Sequence, residues 1–157
     1  MVSIMAEFHN ILIRSLNSVY KNSENIKPGT QNAAYLLLYG RYLCNMIETH
    51  HDWEETSYFP ALEIFAGQPG ILESNVEQHH AFEKGLRAFY GYCQLPKEQF
   101  SAQKLQGLMD DFAPALNKHL HEEPLSFYRL RHCDSNNLRK LYLEQEKIAL
   151  AKGDPWT

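Results

Sequence analysis

Helical periodicity over long segments is the feature that most constrains what this chain can fold into. Apolar residues recur at three-to-four spacing along residues 3–22, 31–65, 71–94 and 101–131, and a fifth segment covers residues 136–152. No segment alternates apolar and polar residues in a convincing strand pattern. The sequence therefore predicts an all-α protein.

The connections between these segments are short and rich in glycine, proline and polar residues. Short connections favour antiparallel neighbours, so we predict an up-down four-helix bundle over residues 1–133. Residues 134–157 are expected to form an additional C-terminal helix and tail, packed on the bundle or extending from it. Pro60 should kink the second helix or end it early, and Pro114 and Pro124 predict kinks in the fourth.

Composition excludes several classes of protein. At 157 residues the chain is expected to form one domain, and a net charge of −4 gives no basic surface for nucleic acid. The apolar runs are too short for a membrane span, and no secretory signal is evident at the start, so we expect a cytoplasmic protein. The three cysteines, Cys44, Cys93 and Cys133, are far apart and are expected to be reduced.

Histidines followed by a carboxylate four residues later are the most informative motif. Four of the eight histidines have one, whereas 19 acidic residues in 157 predict about one such pair by chance. Residues four apart share one face of a helix. The pairs are His50 with Glu54, His51 with Glu55, His79 with Glu83, and His119 with Glu123.

These pairs fall on the apolar stripes of the second, third and fourth helices, and His9 lies on the stripe of the first. Buried charges are costly unless they are paired or bound to metal. Up to four histidines and three glutamates from four helices would suit two cations better than one. Imidazole and carboxylate ligands without a thiolate favour iron or manganese, with zinc as an alternative.

Four separated strings carry a resemblance to a known family. They are EFHNILIRSLNSVY, HHDWEETSYFPAL, GQPGILESNVEQHHAFEKGL and LNKHLHEEP, in this order along the chain. Together they resemble the hemerythrin-like family, also called HHE cation-binding domains, and look closest to its fungal members. The resemblance covers about residues 5–130 and leaves out the C-terminal segment.

The resemblance implies a ligand set for two iron ions bridged by oxo or hydroxo. His9 and His50 would be terminal ligands of one metal, and the other metal would take His79, His119 and the residue at position 83. Two carboxylates, Glu54 and Glu123, would bridge the metals. Oxygen-carrying hemerythrins have a fifth histidine where this chain has Glu83.

Glu83 leads to the functional prediction. An added anionic ligand stabilises Fe(III), so we expect dioxygen activation, with the protein acting as an oxidase or oxygenase on a small organic substrate. The alternatives are a reversible dioxygen carrier, a module that senses iron, oxygen or redox state, and an iron storage or detoxification protein. The expected partners are dioxygen and a small-molecule substrate, with no nucleic acid and no membrane.

Several neighbouring residues leave alternatives open. His50 and His51 lie about 100° apart around a helix, so only one of their pairs is expected to point into the bundle. The family string favours His50 with Glu54, and His51 with Glu55 is interpreted as a flanking or surface pair. Glu122 is an alternative to Glu123, and Glu83 is an alternative hydrogen-bond acceptor that orients an imidazole. The histidines predicted to lie outside the ligand set are His80, His121 and His132.

Overall fold

The computed structural model describes residues 2–153 of the chain. Its helices are α1 (Val2–Ser23), α2 (Gln31–Trp53), α3 (Phe59–Ala66), α4 (Glu73–Cys93), α5 (Ala102–Ser126) and α6 (Ser135–Gly153). A π-helical turn, Glu54–Tyr58, joins α2 to α3, and short 3-10 turns cover Lys97–Gln99 and Phe127–Leu130. No strand occurs within residues 2–153, so the all-α prediction is confirmed.

Four helices form the bundle. α1 packs against α2 and α5, and α4 packs against α2 and α5, which places the helices around the bundle in the order α1, α2, α4, α5. Residues next to the helices fix where they begin and end. Thr30 and Ser101 accept hydrogen bonds from the first turns of α2 and α5, and Gly67 ends α3 in a left-handed conformation with φ of 64°.

The π turn explains how the second helix passes Pro60. Proline has no backbone N–H and disturbs an α-helix, but here the turn before it takes one extra residue, and the Phe59 N–H donates to the Glu54 carbonyl. The helix therefore continues to Ala66 instead of ending at Pro60. α5 likewise runs as one helix through Pro114 and Pro124. Among residues 2–153, no helix is long and apolar enough to cross a membrane.

Two apolar cores fill the bundle, one toward each end. The larger contains residues such as Leu12, Ile47 and Leu116, and the smaller contains Met5 and Tyr58. Along α1, His9 falls between Met5 of one core and Leu12 of the other. The predicted ligand residues therefore occupy the junction between the two cores.

α6 covers the smaller core. Tyr142 packs edge-on against Trp53 and Tyr58, whose rings are stacked with their centroids 4.9 Å apart. The Trp53 indole N–H also donates to the Gln145 carbonyl at 3.2 Å. The tail beyond Gly153, part of the segment predicted for residues 134–157, lies outside the described residues.

Gly85 sets the separation of α4 and α5, and we predict that Gly85→Ala destabilises the protein. A Cβ at position 85 would lie 2.6 Å from the Phe112 Cβ, so the helices would have to move apart. We expect a net loss of about 1–3 kcal/mol in the free energy of unfolding. Urea denaturation of the variant measures this loss.

Gly91→Ala in the same helix is the matched control, because nothing lies within 4 Å of a Cβ there. It should stabilise the protein by about 0.5–1 kcal/mol through helix propensity alone. Equal effects of the two substitutions would show that the Phe112 contact does not limit the packing of α4 against α5.

Candidate metal centre

Seven side chains, six from the four bundle helices and one from the π turn, meet at the junction of the two cores, and they form two groups. Within each group the ligand-type atoms lie within 4.8 Å of one another. The first group comprises His9, His50, Glu54 and Glu123, and the second comprises His51, Glu54, His79 and His119.

In the first group, three side chains converge on one point. The Nε2 atoms of His9 and His50 are 3.2 Å apart, and Glu123 Oε2 lies 3.1 Å from His9 Nε2. The same Glu123 oxygen is 3.9 Å from the Nε2 of His119, so it lies toward the second group. Its other oxygen accepts from the Asn75 amide at 3.4 Å.

The second group has one more imidazole and one carboxylate fewer. The Nε2 atoms of His79 and His119 are 3.2 Å apart, and His51 packs against both rings. Glu54 belongs to both groups: Oε1 lies 3.4 Å from His50 Nε2, and Oε2 lies 3.6 Å from His79 Nε2. Glu54 therefore presents one oxygen to each group. Seen down the helix axis, its side chain at the start of the π turn points between the directions of His50 and His51.

The outer nitrogens of three imidazoles are held by acceptors. His9 Nδ1 donates to the Leu120 carbonyl at 2.8 Å, and His79 Nδ1 donates to Glu55 at 2.7 Å. His119 Nδ1 lies 3.2 Å from the Gln78 amide oxygen. A neutral imidazole that donates through Nδ1 has a bare lone pair at Nε2. These three lone pairs therefore point into the two groups.

The buried polar atoms inside the groups are unsatisfied. Within the described part of the chain, no hydrogen-bond partner is found for either nitrogen of His51, either oxygen of Glu54, or Oε2 of Glu123. Orphaned buried polar groups are rare in folded proteins, and several in one place require an explanation. A pair of metal ions would satisfy all of them except the second nitrogen of His51, so these residues fit the metal centre.

Burial sets the protonation states in the metal-free protein. It lowers the pKa values of His50 and His51 well below the usual value, and it lowers the pKa of His119 to about 2, with neighbouring imidazoles adding to the effect. Burial raises the pKa of Glu54 well above its usual value, and the nearby Glu123 raises it further. The imidazoles are thus ready to donate lone pairs, while Glu54 must release a proton when metal binds.

The prediction that His51 forms a surface pair with Glu55 is wrong. His51 is 5% exposed, and Glu55 bonds across to His79 instead. A helix in a bundle contacts neighbours on two sides, so its buried arc is wide enough for two consecutive residues. His50 faces His9 of α1, and His51 faces His79 of α4 and His119 of α5.

Glu83 does not join either group, contrary to the expectation that it lies among the ligands. Its side chain is 44% exposed and forms an ion pair with Arg87, one turn further along α4. Although Glu83 stands four residues after His79, its side chain is directed to the surface side of α4. Glu122, the alternative to Glu123, is also outside, because it accepts from the Gln78 amide at the surface.

A spacing signal for His51 was present in the sequence. Glu54 stands four residues after His50 and three after His51, and both spacings place side chains on neighbouring parts of one helix face. A carboxylate shared by two consecutive histidines indicates that both are inside. Of the other histidines, His80, His121 and His132 are exposed, as expected.

Residues 1–130 match the family described as the hemerythrin HHE cation-binding domain. The chain therefore belongs to this family of metal-binding helical proteins, and the resemblance noted in the four sequence strings is confirmed. It is also similar to the dimeric xanthone biosynthesis cluster protein R11 of Cryptosporiopsis sp. (strain 8999), with 33% identity over 144 residues. That alignment covers 91% of this chain but 55% of the relative, so the chain spans about half the relative's length. No solved structure matched the chain.

We predict that His51→Ala reduces the metal content from two ions per chain to about one. The second group would keep only His79, His119 and an oxygen of Glu54, and metal affinity depends on ligand number. Elemental analysis of the purified variant measures the loss. Glu83→Ala and His80→Ala serve as controls and should retain both ions, whereas iron loss in Glu83→Ala alone would restore Glu83 as a ligand.

Proposed function

We propose that this protein holds two iron ions and binds dioxygen beside them. The observation that carries the proposal is the pair of histidine and glutamate groups that share Glu54. Iron agrees with imidazole and carboxylate donors in the absence of a thiolate, and manganese or zinc would be competing ions. When bound, a pair of ferrous ions supplies two electrons and an exchangeable coordination position for dioxygen.

The two groups are unequal, and this inequality suggests where dioxygen binds. The first group offers two imidazoles, His9 and His50, whereas the second offers three. Because Glu123 Oε2 also lies 3.9 Å from His119 Nε2, the second group has a fifth donor within reach, whereas the first group has four and leaves more room for a ligand from outside. The carboxylates of Glu54 and Glu123 offset part of the positive charge that the metals would bring.

An apolar pocket opens at this first group. It has a volume of about 310 Å³ and is lined by Phe8, Met46, Trp53, Ala149, the polar Asn45 and Thr49, and the ring of His50. No acidic side chain, lysine or arginine lines it, within the part of the chain that the structure describes. Dioxygen is apolar and enters such a pocket without displacing tightly held water.

The position of Glu83 outside the ligand groups favours a dioxygen carrier over an oxidase as the function of the site. The expectation of dioxygen activation rested on an anionic ligand at position 83, but His51 takes that place. A set of five histidines and two glutamates carries less negative charge than a set that also includes Glu83. It therefore stabilises Fe(III) less. Reversible dioxygen binding is therefore the function that this site supports best.

A second candidate is oxidation of a small organic molecule, and the same apolar pocket favours it. Its volume reaches the lower end of the range for ligand sites, about 300 Å³. The name of the similar fungal protein places that protein in a biosynthesis cluster. An aromatic or aliphatic substrate without charge would suit the lining.

Spectroscopy of the reduced protein separates these candidates. The iron-loaded, anaerobically reduced protein is exposed to dioxygen while the visible spectrum is recorded, and the gas is then removed. A band that appears with dioxygen and disappears on degassing supports reversible binding. A band that decays to a stable di-iron(III) spectrum supports oxidation, and no spectral change with two irons bound contradicts both.

A further inference from the structure

A second pocket reaches the centre from the opposite side of α2. It lies between α2 and α4, has a volume of about 230 Å³ and opens to solvent. Its buried floor contains His51, His79, Phe82 and Leu86, and its outer wall contains Glu48, Asp52, Glu55, His80, Glu83 and Arg87.

The wall of this pocket is strongly acidic. Four carboxylates face one arginine, and Arg87 is already paired with Glu83. Among the residues that the structure describes, no carboxylate lines the pocket at His50. The two openings therefore differ in chemistry, one being apolar and the other attractive to cations.

The floor joins the acidic wall to the metal-binding groups. His51 is 5% exposed, lines the pocket and has no hydrogen-bond partner at either nitrogen among residues 2–153. Glu55 also lines the pocket, and its carboxylate holds His79 Nδ1 at 2.7 Å. A cation that crosses the wall therefore meets an unpartnered imidazole of the second group.

We infer that the acidic pocket is the entrance through which divalent metal ions reach the centre. Glu48, Asp52 and Glu83 attract the hydrated cation and hold it briefly while it loses water. His51 then takes it into the second group. This role goes beyond the proposed function, because it concerns the loading of the metal and is independent of what dioxygen does afterwards.

The rate of metal loading tests the inference. The metal-free chain, residues 1–157, is mixed with Co²⁺ in a stopped-flow instrument without dioxygen, and the visible absorption of bound cobalt is followed. In the variant Glu48→Gln/Asp52→Asn/Glu83→Gln we expect the loading rate to fall about tenfold or more, with a weaker dependence on salt. The final cobalt content should remain that of the unmodified protein.

A triple variant with the same charge change elsewhere is the control. Glu24 and Glu98 lie in the connections at the other end of the bundle, and Asp111 is exposed on α5. Glu24→Gln/Glu98→Gln/Asp111→Asn should load at the normal rate. Equal rates in both triple variants, whether slowed or unchanged, would overturn the inference, and so would a lower final cobalt content in the pocket variant. Neither result depends on the dioxygen spectra, so the two proposals can fail separately.

Discussion

Glu54→Ala should remove both metal ions from the protein. Glu54 is completely buried and offers one oxygen to each group of ligands, so no other residue in the centre has an equivalent role. Without it, the first group keeps His9, His50 and Glu123, and the second keeps three imidazoles without a carboxylate. We expect well under one iron per chain by elemental analysis after purification and dialysis.

Glu54→Gln makes this test sharper, because it preserves the shape of the side chain. Burial raises the pKa of Glu54 and so favours its uncharged form in the metal-free protein, and glutamine should therefore change the stability of the metal-free form little. The variant should nevertheless bind metal weakly, since it lacks the negative charge. A Glu54→Ala protein that retains two irons would contradict the shared-carboxylate arrangement, and Glu83→Gln should retain them.

Removal of the metals should lower the thermal midpoint by roughly 15–30 °C. At a free metal concentration a thousandfold above Kd, each site adds about 4 kcal/mol of stability, and each kcal/mol is worth roughly 2–4 °C in a chain of this size. The physical source is the set of buried lone pairs on His51, Glu54 and Glu123 that have no donor within residues 2–153. Thermal unfolding followed by circular dichroism, with and without a chelator, measures the change.

The helices themselves should survive metal removal. Both apolar cores are formed by residues outside the ligand set, and the larger one joins all four bundle helices. Helical circular dichroism at low temperature is therefore expected to stay the same. The Glu54→Ala protein provides the control, because its midpoint should not respond to the chelator; an unchanged midpoint in the unmodified protein would mean that the centre adds no stability.

Much of this protein can be read from periodicity and spacing. Apolar stripes predict the four bundle helices, and a polar residue within a stripe predicts a buried site. Six of the seven side chains expected at the centre lie there: His9, His50, Glu54, His79, His119 and Glu123. Apolar stripes and the spacing of four residues place these side chains on inner helix faces, and the resemblance to the hemerythrin-like family implies the ligand set itself.

Only the tertiary structure decided between His51 and Glu83. The spacing of residues along one helix carries no information about neighbouring helices. It predicts that Glu83 lies beside His79 as readily as it predicts that Glu123 lies beside His119. The packing of α2 between α1 and α4 turns both His50 and His51 inward, while Glu83 faces outward to Arg87. The acceptors that orient the imidazoles, such as the Leu120 carbonyl and Gln78, were also beyond sequence reasoning. Which side of a helix is buried depends on the directions of its neighbours, and those directions are set by contacts between residues distant in the sequence.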